Sequence, residues 1–389
     1  MPADQIAEDL RIFFDDKINR IVDDIKRHTT NEIAALKNDD KRISNKIIHN
    51  TTTTAASTTT TTATTAENQV VFISGGSNGQ RSKRSKVKGL TSTEVYPNTC
   101  TTPSLPKPTA YHALFMTTGS SPVVASCGGY QYRYKTSTSK SMRVDSCVVW
   151  DSDKQRWDEQ MMSPLPEKRG YHSVVTLENI GVYIIGGVGG HGLAGIRIKN
   201  KYTSDFLPAN TLKWTEGPNL PKDVSSSQRG CAVPVSATSF IYINKRAIRE
   251  YKIYDIAKPT SSQGWVDRNR WPAFSTSNWL GCARTGSYVL IADKVGKQTS
   301  TTILDIATRK TRPGGNSVTP QLFHLASLTT GGLTKTFALG GRDGRRFTSS
   351  VEEWDEDSLK WKPAGNLKQA KGAFAATTVP LSVVCPGRS

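Results

Sequence analysis

The sequence predicts an all-β protein: a β-propeller of six four-stranded sheets, closed by its C-terminal strand and preceded by a short α-helical arm. Three observations carry that reading. Short β-branched runs end in diglycine or a polar turn at intervals near fifty residues, and an aromatic-to-tryptophan pair follows most of them. The two ends of the repeating region also supply complementary parts of one unit.

Residues 1–49 read as the helical arm. Leu10, Phe14, Ile18, Ile21 and Ile25 recur at three- and four-residue steps, which places them on one face of a helix. Thr29 and Glu32 have the spacing of a capping box for a second helix carrying Ile33, Leu36, Ile43 and Ile47. Such a stripe needs a partner. It either packs on its own domain or forms a short coiled coil, with self-association through residues 4–48. Residues 50–68 form a Thr-rich linker, since 51–65 hold eleven Thr, three Ala and one Ser and cannot build a core. Asn50-Thr51-Thr52 within it is a glycosylation sequon, usable only in an exported chain.

The repeating region spans 69–385. Val70–Ser74 runs into Gly75-Gly76, Val123–Cys127 into Gly128-Gly129, Val182–Ile185 into Gly186-Gly187 and Phe337–Leu339 into Gly340-Gly341. Weaker copies are Phe240–Ile243 before Asn244 and Tyr288–Ala292 before Asp293. The anchors 75, 128, 186, 244, 293 and 340 are separated by 53, 58, 58, 49 and 47 residues, a period of propeller-blade size. After them come Trp150 to Trp157, Phe206 to Trp214, Tyr254 to Trp265 and Trp354 to Trp361. Before them come Tyr111-His112, Arg169-Gly170-Tyr171-His172, Gly230-Cys231, Gly281-Cys282 and Phe323-His324.

This order of landmarks resembles the kelch repeat: a strand opening with arginine and histidine, a diglycine strand, a tyrosine strand and a tryptophan strand. The resemblance covers roughly residues 70–380 and is clearest around Gly128, Gly186 and Gly340. It implies a non-enzymatic protein-interaction scaffold that binds through loops at one face. WD repeats fit less well, because the period is longer and no Gly-His precedes each Trp-Asp. Residues 70–104 hold only the last three strands of a blade and Gly372–Val379 a lone first strand. Together they complete one blade, and such closure removes exposed strand edges.

Several motifs suggest chemistry and fail on context. Gly75-Gly76-Ser77-Asn78-Gly79 matches a nucleophile elbow, but no apolar helical period follows it. Gly187–Gly192 matches a dinucleotide fingerprint, but Leu193–Ile198 would open a helix poorly. His112, His172 and His324 fall at equivalent repeat positions near the channel, where packing or a hydrogen bond explains them. A propeller enzyme of the galactose-oxidase type would need a copper-ligand set that cannot be recognised here. No metal, cofactor or catalytic residue is assigned.

Lysine and arginine number 51 against 33 aspartates and glutamates, a formal charge of +18. That imbalance favours acidic partners. No window of eighteen apolar residues exists to span a membrane. The N-terminus shows no secretory layout, so an intracellular (cytoplasmic) site is the default and an extracellular one requires a start further upstream. In four-stranded blades every second-to-third connection exits on one face, and these connections carry twenty cations against Asp293 and Asp343. Arg81, Lys83, Arg84, Arg133, Lys135, Arg197, Lys199, Arg246, Arg342, Arg345 and Arg346 are the candidate partner-binding residues. The interblade loops, with Arg169 and Lys371 among others, add to the same face. The expected partner is a protein with an acidic or phosphorylated segment, and the alternative is a polyanion, nucleic acid or sulfated glycan.

Six cysteines allow fifteen pairings. Cys127 with Cys147, at facing ends of neighbouring strands, and Cys231 with Cys282, at equivalent positions in adjacent blades, are geometrically conceivable disulfides. Buried free thiols are the default for an unexported chain.

Overall fold

The computed structural model describes residues 68–78, 88–97, 100–133, 140–189, 199–200, 203–221, 230–244, 247–261, 264–266, 280–295, 298–317, 324–330, 333–343 and 346–386. The chain divides into two units, Met1–Thr64 and Thr65–Ser389, and the described residues belong to the second. The helical arm and nearly all of the linker, with the coiled coil expected there, lie outside them.

Antiparallel strands form six main sheets among the described residues. In the first, Gln69–Ser74 lies between Thr93–Tyr96 and Ala375–Pro380. The second runs Ala113–Met116, Val124–Cys127, Cys147–Asp151 and Arg156–Asp158. The third runs Ser173–Leu177, Gly181–Ile185, Ser204–Pro208 and Thr215–Glu216. Cys231–Ser236, Ser239–Ile243 and Ile248–Lys252 make the fourth. Leu280–Thr285, Tyr288–Val295, Gln298–Asp305 and Thr311–Pro313 make the fifth. The sixth is His324–Thr330, Leu333–Asp343, Arg346–Asp355 and Lys360–Asn366.

Four strands were expected throughout, and two sheets depart. The first and fourth have three strands among the described residues. After Tyr96 the chain carries Pro97, Pro103 and Pro106, which have no N–H to offer a ladder. In the fourth sheet one bridge, Tyr251 to Trp265, stands where an outer strand would be.

The second strands are apolar without alternation because both of their faces are covered. Val71, Phe72 and Ile73 have no exposed surface, and neither do Val182, Tyr183 and Ile184. Successive residues point to opposite faces. Val70 and Phe72 enter a core shared with Leu114, Trp150 and Trp157 of the second sheet. Val71 and Ile73 enter a different one, shared with Leu328, Phe337 and Leu339 of the sixth. Four further cores lie between the second and third, third and fourth, fourth and fifth, and fifth and sixth sheets. Each large apolar side chain so buried contributes about 1.5–3 kcal/mol.

The tryptophans pack these interfaces, as the repeat pattern implied. Trp157 stacks on Phe72 with ring centroids 5.9 Å apart, and Trp354 meets Trp361 edge-on at 5.2 Å. Two of the buried indole N–H groups find acceptors in Thr301 Oγ1, at 2.8 Å from Trp361, and the Val383 carbonyl, at 3.0 Å from Trp150, whereas those of Trp214 and Trp265 meet none.

The first strands of the second to sixth sheets neighbour one another in chain order. Ala375–Pro380 packs against the first strands of both the sixth and the second sheet, and it pairs with Gln69–Ser74 from Gln69↔Pro380 to Ser74↔Ala375.

Candidate functional site

The diglycines bend the chain at the ends of four second strands. Both glycines of each pair have positive φ, for example 69° and 89° at Gly128 and Gly129. The bend carries strands onward as short ribbons: Tyr130–Arg133 with Lys140–Arg143, Val188–Gly189 with Lys199–Asn200, and Ser77–Asn78 with Lys88–Gly89. A Cβ on Gly129 would sit 2.7 Å from the Ala110 carbonyl and 2.8 Å from His112 Cβ. On Gly187 it would meet the Gly170 carbonyl at 2.7 Å and His172 Cβ at 3.0 Å. The missing side chain is therefore what lets the histidine-bearing segment approach. Gly-Gly and Tyr-His recur together because they occupy one packing site.

Ser77 and Val188-Gly189, from the two enzyme-like motifs, are strand residues in these ribbons.

The first strands line a cavity of about 480 Å³ that includes His112, His172 and His324. His112 Nε2 lies 2.8 Å from Ser74 Oγ. Burial lowers the His112 value to about 3, with a smaller contribution from His324. It lowers His172 to about 3, helped by Arg169 and His112, and His324 to about 4. All three rings are neutral at pH 7. Among the described residues no three histidines, cysteines or acids are grouped so as to hold a metal ion.

Of the candidate basic residues, Arg133 stands opposite Lys140 in a ribbon, and Lys199 stands opposite Gly189. Arg346 is exposed where the second strand of the sixth sheet turns into the third, opposite Asp343. Arg342 is half-buried, its guanidinium 5.8 Å from the Phe347 ring centroid. Arg81, Lys83, Arg84, Lys135, Arg197, Arg246 and Arg345 lie outside the described residues.

The wider charge count needs correction, because four of its cations are interior. Arg169 has no exposed surface: it pairs with Asp205 at 2.7 Å and donates to the Gly186 and Thr203 carbonyls, both at 3.1 Å. Burial pulls its guanidinium below the usual value and Asp205 pushes it back. Lys371, equally buried, pairs with Glu94 at 2.5 Å. Arg143 donates to Tyr130 Oη at 2.7 Å, and Arg249 to the Ile248 carbonyl at 2.7 Å. Arg169 and Lys371 are each drawn inward to a buried acid, Asp205 and Glu94, which loop position alone does not reveal.

The cysteines correct a second expectation. None is free among the described residues: Cys127 bonds Cys147, Cys231 bonds Cys282, and Cys100 bonds Cys385. The first pair faces across one register position, and the second joins the first strands of the fourth and fifth sheets. The third was not foreseen. Its residues are 285 apart, and pairing of Ala375–Pro380 with the first sheet brings them together.

Residues 333–368, covering the last three strands of the sixth sheet, match the family model for the Kelch motif. A comparison with curated proteins found no match. The chain thus carries a kelch motif in an all-β body of antiparallel sheets, as kelch-repeat proteins do.

Proposed function

We propose that this kelch-motif chain is a protein-interaction scaffold: a closed six-bladed propeller whose diglycine-end loops hold an acidic or phosphorylated segment of a partner protein. The observation that supports the reading is that neighbouring first strands pack on one another, with Ala375–Pro380 against those of the sixth and second sheets and paired with Gln69–Ser74. Antiparallel order then sends every second-to-third connection to one end. The candidate cations sit on those connections, and a mouth lined by one sign of charge raises the local concentration of the opposite sign.

The test is fluorescence anisotropy on the full chain with an acidic phosphoserine peptide, at low and high salt. Arg84→Glu, Arg133→Glu, Arg197→Glu, Arg246→Glu and Arg345→Glu together are expected to abolish binding. Unchanged affinity in that variant overturns the basic-face reading. The net charge of +18 also favours the polyanion alternative. That reading predicts heparin or DNA bound more tightly than the peptide, with affinity falling steeply as salt rises.

A further inference from the structure

The three disulfides differ in how a solute reaches them. Cys127 and Cys147 are 0% and 3% exposed and sit inside the core between the second and third sheets. In the Cys100–Cys385 bond only Cys100 is half-buried; Cys385 is 4% exposed, and the bond lies against the core between the first and second sheets. Cys231 and Cys282 are both half-buried: they pack against the core between the fourth and fifth sheets and also line the central cavity. Gly230 and Gly281 precede them, so no side chain from those positions crowds the sulfurs.

Charge distinguishes this bond further. Arg284 is two residues beyond Cys282 on the same strand and so shares its face, about 7 Å along. It also lines the cavity, and its exposed side chain is steered by bonds to the Gly286 and Pro234 carbonyls at 3.1 and 3.5 Å. Reactive cysteines sit in partly exposed, electropositive surroundings, because a nearby cation favours the thiolate.

From these positions we infer that Cys231–Cys282 is a thiol–disulfide exchange site in the channel wall that takes an anionic low-molecular-weight thiol. The incoming thiolate attacks Cys231 Sγ. The Sγ–Sγ bond breaks, and Cys282, on the strand that carries Arg284, leaves with the electron pair as a thiolate. A second thiol molecule attacks the mixed disulfide on Cys231 and departs as the oxidised dimer. Two small thiols are thereby oxidised, and the protein gains two electrons and two protons. The bond links two neighbouring sheets, so opening it frees one first strand from the next without unpairing either sheet. Oxidising surroundings keep the link closed, and reducing ones open it before the other two.

The experiment treats the native full chain with graded reduced glutathione, traps thiols with iodoacetamide and maps them by peptide mass. The expected result is glutathione on Cys231 and alkylation of Cys282, while the other four cysteines stay protected until denaturant is added. Arg284→Gln, an exposed position, should slow reduction by glutathione about threefold or more while leaving reduction by neutral dithiothreitol unchanged. Earlier or simultaneous opening of either other pair, or no opening before global unfolding, overturns the proposal. An equal effect of Arg284→Gln on both reductants removes the role of the guanidinium. The loop-charge variant proposed above leaves all these residues intact, so the two readings fail independently.

Discussion

Replacing Arg169 with Met tests how the repeat motif holds each blade together. Arg169 opens the third sheet's Arg-Gly-Tyr-His segment, and its guanidinium bonds Asp205 at 2.7 Å and two carbonyls at 3.1 Å. Methionine fills much of the volume but leaves Asp205, 2% exposed, without its buried cation. An aspartate so stranded neutralises itself, and protonating a carboxyl of ordinary value near 3.9 at pH 7 takes about 4 kcal/mol. That agrees with the roughly 3–5 kcal/mol expected for breaking a buried pair from one side. The cost should shrink by about 1.4 kcal/mol per pH unit, to about 2 kcal/mol at pH 5.5. Urea unfolding of wild type and variant at both pH values measures the difference directly. Adding Asp205→Leu should restore most of the loss at either pH, because the carboxylate that faced Arg169 is then gone. A difference below about 1 kcal/mol at pH 7, or one equal at the two pH values, would refute this account.

Three further outcomes are expected. Cys100→Ala with Cys385→Ala opens a loop of 285 residues, and chain-entropy reasoning puts the loss at about 5 kcal/mol, read as a lower melting temperature without reductant. An unchanged melting temperature would show that the bond does not secure the closing strand. His112, His172 and His324 have folded values of about 3, 3 and 4, below the unfolded 6.5. The unfolded chain therefore binds their protons first. Their contribution is complete above about pH 7 and is lost as pH falls from about 6.5 toward 4, by up to about 1.4 kcal/mol per unit for each ring. Urea titrations at pH 7.5 and 5 check the sign. Gly187→Ala forces a Cβ to within 2.7 Å of the Gly170 carbonyl at φ 88°, and should cost about 2–4 kcal/mol by the same assay.

Much of the architecture was legible because the successive antiparallel sheets repeat their local chemistry. Val70–Ser74, Phe240–Ile243 and Tyr288–Ala292 announced second strands, since a strand covered on both faces has no reason to alternate. Cys127 and Cys147 could be set opposite each other from strand order alone. That the first and fourth sheets have three strands among the described residues was not legible. A landmark tryptophan such as Trp265 still packs against Tyr251 when the ladder around it shrinks to one bridge. The basic loops were legible only as a count. Arg143 and Arg249 stand in the same stretches of sequence as Arg346, yet two turn inward and one outward.

What the sequence determined by itself is the set of local preferences: where strands run, where glycine permits a left-handed bend, and which aromatic residues cap an interface. These follow from sterics and side-chain periodicity within a few residues, so they survive without knowledge of the neighbours. Tertiary structure decided the rest. Burial of Lys371 depends on Glu94, 277 residues away, and the Cys100–Cys385 bond depends on the last strand lying beside the first. Such contacts are set by whether a charge or thiol meets its complement once water is excluded, and that is a property of assembled sheets.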